Sequence, residues 1–122
     1  MPFLNAGGHS LNYERIEGEA GKPPLVFLHE GLGSIRQWRD FPAKLCAATG
    51  CAGFVYDRYG YGQSDILAEP RRTVRFMHDE ALIALPHLVS ELGLSKPVLV
   101  GHSDGASIAL IHAGAGHAVR GV

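Results

Sequence analysis

Cysteine is scarce. Cys46 and Cys51 are the only two in 122 residues, and they form no C-x-x-C pair. That excludes a disulfide framework and a thiolate metal site, and leaves two reduced, structural thiols of the kind a cytoplasmic protein carries. Long apolar runs are missing too, and none approaches the roughly 18 residues a membrane span requires. The opening Met1-Pro2-Phe3-Leu4-Asn5 lacks the basic and apolar blocks of a signal peptide. The expected location is therefore cytoplasmic, with no membrane partner. Nor is there a basic excess. Lys and Arg number 11 against 12 Asp and Glu, the net charge is −1, and the cations are scattered, with Arg71-Arg72 a mere solvated pair. No nucleic-acid footprint follows from such a balance. His29-Glu30 opens like a zinc-protease H-E-x-x-H, but position 33 is glycine, so no second ligand follows. Gly31-Leu32-Gly33 and Gly60-Tyr61-Gly62 both lack the third glycine of a dinucleotide fingerprint. Neither a metal nor a cofactor is expected.

What the chain does have is core. Hydrophobic residues make up 46% and charged residues 19%, enough for one folded domain over residues 1–122. Strand and helix signals alternate. Residues 2–4 and 10–16 read as a hairpin about the turn-rich Asn5-Ala6-Gly7-Gly8. Leu25-Val26-Phe27-Leu28 is a continuous apolar run, hence a central strand. Trp38, Phe41 and Leu45 have helical spacing, with Asp40 as cap, Pro42 in the first turn and Gly50 as stop. Ala52–Tyr56 is a second central strand. A long helix is expected from about Thr73 to Leu92, its apolar face made by Val74, Met77, Ala81, Leu85, Leu88 and Leu92. Pro86 should kink it, and Gly93 should end it. Alternation of this kind means an α/β fold: a three-layer sandwich whose sheet is mostly parallel.

The densest signal is Gly101-His102-Ser103-Asp104-Gly105, a G-x-S-x-G pentapeptide. It follows the apolar Pro97-Val98-Leu99-Val100 and precedes the small-residue helix Ala106-Ser107-Ile108-Ala109-Leu110-Ile111. A serine on so sharp a strand-to-helix turn is held in a strained backbone conformation with its hydroxyl exposed, as a nucleophile requires. Gly101 and Gly105 must be small because the turn brings them into close contact. Gly105, Ala109 and Ala113 then make a smooth stripe that lets the helix lie close on the sheet.

In these residues the chain resembles the α/β-hydrolase superfamily, over its N-terminal half. Three motifs stand in the family's order at strand ends. His29-Glu30-Gly31-Leu32-Gly33-Ser34 is similar to the loop that supplies one oxyanion amide. Asp57-Arg58-Tyr59-Gly60-Tyr61-Gly62-Gln63-Ser64 is similar to the D-x-R-G-x-G-x-S loop, and the third is the elbow about Ser103. The resemblance implies a serine hydrolase acting on small esters or related acyl compounds, with Ser103 as nucleophile. It implies an oxyanion hole from the N–H of Asp104 and one N–H of the first loop. Gly31 stands at the usual donor position, and Glu30 replaces the commoner glycine beside it. His29, at the tip of the strand beside the Ser103 strand, is the nearest candidate for a base within this chain; the resemblance implies instead a site-lining histidine that orders this loop. His102 should point away from Ser103 by strand alternation. Asp57 and Arg58 shape a loop near the site, Asp57 as a hydrogen-bond acceptor. Asp104 and Glu30 together are expected to make the mouth acidic.

The family carries its triad acid and histidine beyond the elbow, and neither position occurs here. Ala118-Val119-Arg120-Gly121-Val122 reads as the opening of another strand, so the chain is expected to be a truncated α/β-hydrolase fold. The resemblance also implies a strand order in which the His29 strand lies between the Asp57 and Ser103 strands. The apolar Ser103 strand is then at or near a sheet edge, and homo-oligomer formation through that edge is expected. Two functions stay open: a small hydrolase, and a catalytically inert, self-associating half-fold fragment.

Overall fold

Strand β3 (Leu25–Leu28) is buried at all four positions, and its side chains divide between two cores. Leu25 and Phe27 pack in one with Val55, Cys46 and Cys51, while Val26 and Leu28 pack in the other with Leu11, Tyr56, Leu85, Leu99 and Ile108. A strand projects successive side chains to opposite faces, so an unbroken apolar run must be covered on both. The computed structural model describes residues 2–31, 33–67 and 74–122.

Five strands form the sheet: β1 (Phe3–Ala6), β2 (His9–Ile16), β3, β4 (Gly53–Tyr56) and β5 (Val98–Gly101), in the order β1-β2-β4-β3-β5. β3 pairs parallel with β4 and with β5, whereas β1–β2 and β2–β4 are antiparallel. The sheet is mixed: its parallel part is β4-β3-β5, and the N-terminal hairpin adds the antiparallel strands. The His29 strand does lie between the Asp57 and Ser103 strands. The hairpin turns on Gly7-Gly8 alone, both at positive φ (61° and 83°), so Asn5 and Ala6 continue the strand rather than belonging to the turn. A two-residue loop with both φ positive matches the right-handed twist of its strands.

Helix α1 (Phe41–Thr49), preceded by a 3-10 turn at Ile35–Trp38, packs on β4 over one face. Asp40 sits at its N-cap position but makes no cap hydrogen bond; its carboxylate pairs with Lys44 at 3.0 Å instead. Gly50 ends the helix in the left-handed region. The opposite face is covered by α2 (Phe76–Asp79), a π-turn over Glu80–Ala84, α3 (Leu85–Glu91) and α4 (Asp104–Gly114), giving three layers. The expected long helix is thus split. Pro86 has no N–H for the carbonyl four residues back, and the turn ahead of it widens, with the Leu85 N–H donating to the Glu80 carbonyl. Ala81, Leu85 and Leu88 are buried as expected, but Val74 is 98% exposed and lies outside the helix. The expected start at Thr73, the pair Arg71-Arg72 and Leu32 of the first loop lie outside the described residues. The closing segment does begin to pair. Gly121 bridges Val98 in parallel, and its carbonyl accepts the Leu99 N–H at 3.0 Å.

No helix among the described residues is long and apolar enough to cross a membrane. Cys46 and Cys51 are both buried and free.

Candidate active site

Ser103 stands at the β5–α4 junction with φ 57° and ψ −120°, and its side chain is exposed. This region of backbone space favours glycine, and a non-glycine residue held there stores strain of about 1–3 kcal/mol. The close approach that forces it is visible at both flanking glycines. A Cβ on Gly101 would come 2.5 Å from the Gly105 carbonyl oxygen and 2.6 Å from the Ala106 Cα. One on Gly105 would come 2.2 Å from the Leu28 carbonyl oxygen of the neighbouring strand. The turn is closed by N–H groups of Gly105 and Ala106 donating to the carbonyls of His102 and Ser103, each at 3.0 Å.

The loop after β3 lies beside this elbow. His29 is buried, and both its ring nitrogens are used. Nε2 accepts the Arg58 N–H at 3.0 Å, so the ring proton is on Nδ1 and is donated to the Glu30 carbonyl at 2.7 Å. Burial lowers its pKa to about 4; the hydrogen bond to Glu30 works against that shift, and the nearby Arg58 charge adds to it. A neutral imidazole with both nitrogens engaged orders a loop and is not free to act as a base. His102 donates its N–H to the Leu28 carbonyl, and its ring lies 6.2 Å from that of Trp38. His112 is buried, donates Nδ1–H to the Ala81 carbonyl at 2.8 Å and stacks on His117. Among the described residues, no histidine nitrogen is hydrogen-bonded to the Ser103 hydroxyl.

The loop after β4 is a scaffold. Asp57 accepts from the Ile35 N–H (2.7 Å), the Asn12 amide and the Gln63 N–H (both 3.0 Å), tying the first loop, β2 and its own loop together. It is a structural acceptor, separated from β5 by β3. Arg58 is 2% exposed, and its Nη2 pairs with Asp104 Oδ1 at 2.9 Å. The expected acidic mouth is therefore corrected: the Asp104 charge is matched by a buried guanidinium, which leaves Glu30 as the unmatched acid there among the described residues. The sequence put Arg58 in a loop near the site but offered no signal for this pairing, because its partner is 46 residues away. Gln37 and Trp38 were also missed. With His29, Glu30 and His102 they line a cavity of about 50 Å³, room for a few waters by the ~10–15 Å³ each needs. Among the described residues no group of three or more His, Cys, Asp or Glu side chains is placed to hold a metal ion.

Comparison with known proteins agrees with this geometry. The family model for the alpha/beta hydrolase fold matches residues 23–122. The chain is 32% identical over 101 residues to the sn-1-specific diacylglycerol lipase ABHD11 of Danio rerio, covering 83% of this chain and 30% of the lipase. It is 36% identical over 115 residues to a proline iminopeptidase of Clostridioides difficile, covering 93% of this chain and 36% of the peptidase. Among solved structures, a carboxylesterase of the thaumarchaeon Nitrososphaera gargenis superposes with a TM-score of 0.77 at 27% identity, over 97% of this chain and 42% of the esterase. The chain thus spans about a third of the length of these curated relatives. The strained serine between β5 and α4, the parallel β4-β3-β5 core and the family match over most of the sequence agree, and the chain belongs to the α/β-hydrolase fold family.

Proposed function

We propose that the chain carries the nucleophile half of a serine hydrolase acting on small esters or related acyl compounds. The observation that carries the reading is the strained, exposed Ser103 at the strand–helix junction of a chain in this family. Its Oγ attacks the acyl carbon and the carbonyl π electrons move onto oxygen. The hydroxyl proton passes to a base, and collapse of the tetrahedral species expels the alcohol, which takes that proton. The oxyanion is held by the N–H of Asp104 and the N–H of Gly31, the latter adjoining Glu30. The names of a lipase, a peptidase and a carboxylesterase among the similar proteins support acyl transfer as the reaction, and the epoxide hydrolases among the similar structures share the fold alone.

The base lies outside the contacts made by the described residues, so full turnover needs it supplied from elsewhere. An oxyanion hole and binding alone retain about 10³–10⁴ over water. Labelling with a fluorophosphonate, read by intact mass, tests the assignment. One adduct is expected on the wild-type chain and none on Ser103→Ala. No adduct on folded wild-type protein at high probe concentration overturns the reading and supports the second one, an inert half-fold. That alternative is favoured by the commitment of both His29 nitrogens. Self-association through the β5 edge accompanies either reading. β5 is apolar, and among the described residues its outer side pairs with the segment at Arg120 and Gly121, through the Gly121 bridge and the Arg120 N–H on the Pro97 carbonyl.

A further inference from the structure

We propose that Arg58 is a positioning residue that aligns both oxyanion donors at once, Gly31 through its backbone and Asp104 through its side chain. The inference rests on the reading of Ser103 above. Two routes leave this one residue. The Arg58 N–H holds His29 Nε2, which leaves the proton on Nδ1 for the Glu30 carbonyl. The Gly33 N–H donates to the same carbonyl at 2.9 Å. Two donors fix the plane of the Glu30–Gly31 peptide, and in a trans peptide the N–H points opposite to the C=O. The direction of the Gly31 N–H is set by these bonds. By the second route the guanidinium holds Asp104 Oδ1 at 2.9 Å, while Oδ2 lies against Gly31, where an added Cβ would come 2.9 Å from it. The carboxylate is thus wedged between Arg58 and the first loop, and it fixes the residue whose own N–H is the second donor. Tyr61 closes the cluster, with its ring 5.0 Å from the guanidinium and edge-on to His29 at 4.7 Å.

Stability does not account for this arrangement. The Arg58 Nε has no partner among the described residues, and a buried ion pair is commonly no better than an apolar pair of the same shape. Charge does account for it. An unmatched Asp104 carboxylate beside the developing oxyanion would oppose the charge that the hole exists to stabilise. The guanidinium cancels it while leaving the backbone N–H free to donate.

The test compares Arg58→Leu, Arg58→Lys and Arg58→Leu/Asp104→Asn with wild type, using Arg15→Leu as a surface control. Each is first checked for folding by thermal melting. Fluorophosphonate labelling of Ser103 is expected to slow about 100-fold in Arg58→Leu, the scale of a misplaced donor. It should recover by about 10-fold in the double variant, where no charge is left to match. Amide spectra supply a readout that needs no catalysis. The Arg58 N–H on His29 is kept in every variant, so the readout follows the guanidinium: the Asp104 cross-peak, and through the Oδ2 contact that of Gly31, should move in Arg58→Leu and Arg58→Lys, and Gly114 should not. Unmoved Gly31 and Asp104 peaks, or labelling of folded Arg58→Leu at the wild-type rate, overturn the inference. If Arg58→Leu does not fold, Arg58→Lys decides, since it keeps the charge and loses the planar fork. If wild type takes no label, the Ser103 reading fails and the amide shifts alone decide the alignment.

Discussion

Backbone strain at the single residue Ser103 has a measurable effect on stability. Its φ of 57° is tolerated by glycine at little cost, so Ser103→Gly should raise stability by about 1 kcal/mol. In a chain of this size that is about 5 °C in Tm. Ser103→Ala keeps a Cβ and should leave Tm near wild type, so calorimetry on the two variants isolates the backbone term. His29 is the second residue with a large local effect. Burial holds its pKa at about 4, against an ordinary value of 6.5, helped by the Arg58 charge and opposed by the Glu30 hydrogen bond, Asp57 and Asp104. Between those values the unfolded chain binds the proton and the folded chain does not. The stability contributed is therefore complete above pH 6.5 and lost as pH falls toward 4. His112, also lowered by burial, acts in the same sense. Tm should fall across this window in wild type and fall less steeply in His29→Gln, as a melting series from neutral pH downward would record.

Among the elements, α4 carries the sharpest contrast. Its first turn is pressed onto β3 at Gly105, whereas Gly114 at its end has open space about it. Gly105→Ala drives a methyl group into the Leu28 carbonyl, which is backbone and cannot swing aside. A loss of about 3 kcal/mol is expected, on the order of 10–20 °C in Tm. Gly114→Ala meets nothing within 4 Å and removes a poor helix former. It should be neutral or stabilising by about 0.5 kcal/mol. Equal effects in the two variants would mean that the helix does not sit on the strand as described. On the same face, the π-turn ahead of Pro86 places Glu80 in the interior, where it accepts the Tyr56 hydroxyl at 2.8 Å. That contact joins the helical layer to the strand that leads into Asp57 and Arg58.

At the scale of the whole molecule, β5 is the outermost strand of the sheet among the described residues, although its residues are those of a central strand. Its N–H groups face β3 on one side and, on the other, little more than the Gly121 bridge. Light scattering at micromolar concentration should therefore give a mass above that of one chain, and a monodisperse monomer would remove the edge-pairing proposal. A base supplied by a second copy would make labelling of Ser103 fall on dilution. For that reason labelling and mass are best followed on the same sample across a dilution series.

Much of this was written in local pattern. The four apolar residues of β3 can be covered only on two faces, and the glycines at 101 and 105 stand where a Cβ has no room, so the order of elements and the elbow follow from local sequence pattern. The left-handed stop at Gly50 is equally local. What tertiary structure decided is partnership. A sequence states that Arg58 and Asp104 are charged but not that they meet across 46 positions and cancel. It shows seven histidines but not that His29 has both nitrogens taken and His112 is buried. Periodicity also put Val74 on a buried face that the fold leaves to solvent, since a helical spacing says nothing of where the helix begins. Short-range rules set which backbone shapes are allowed, whereas the protonation and charge state of a site depend on groups that only folding brings within a few ångströms.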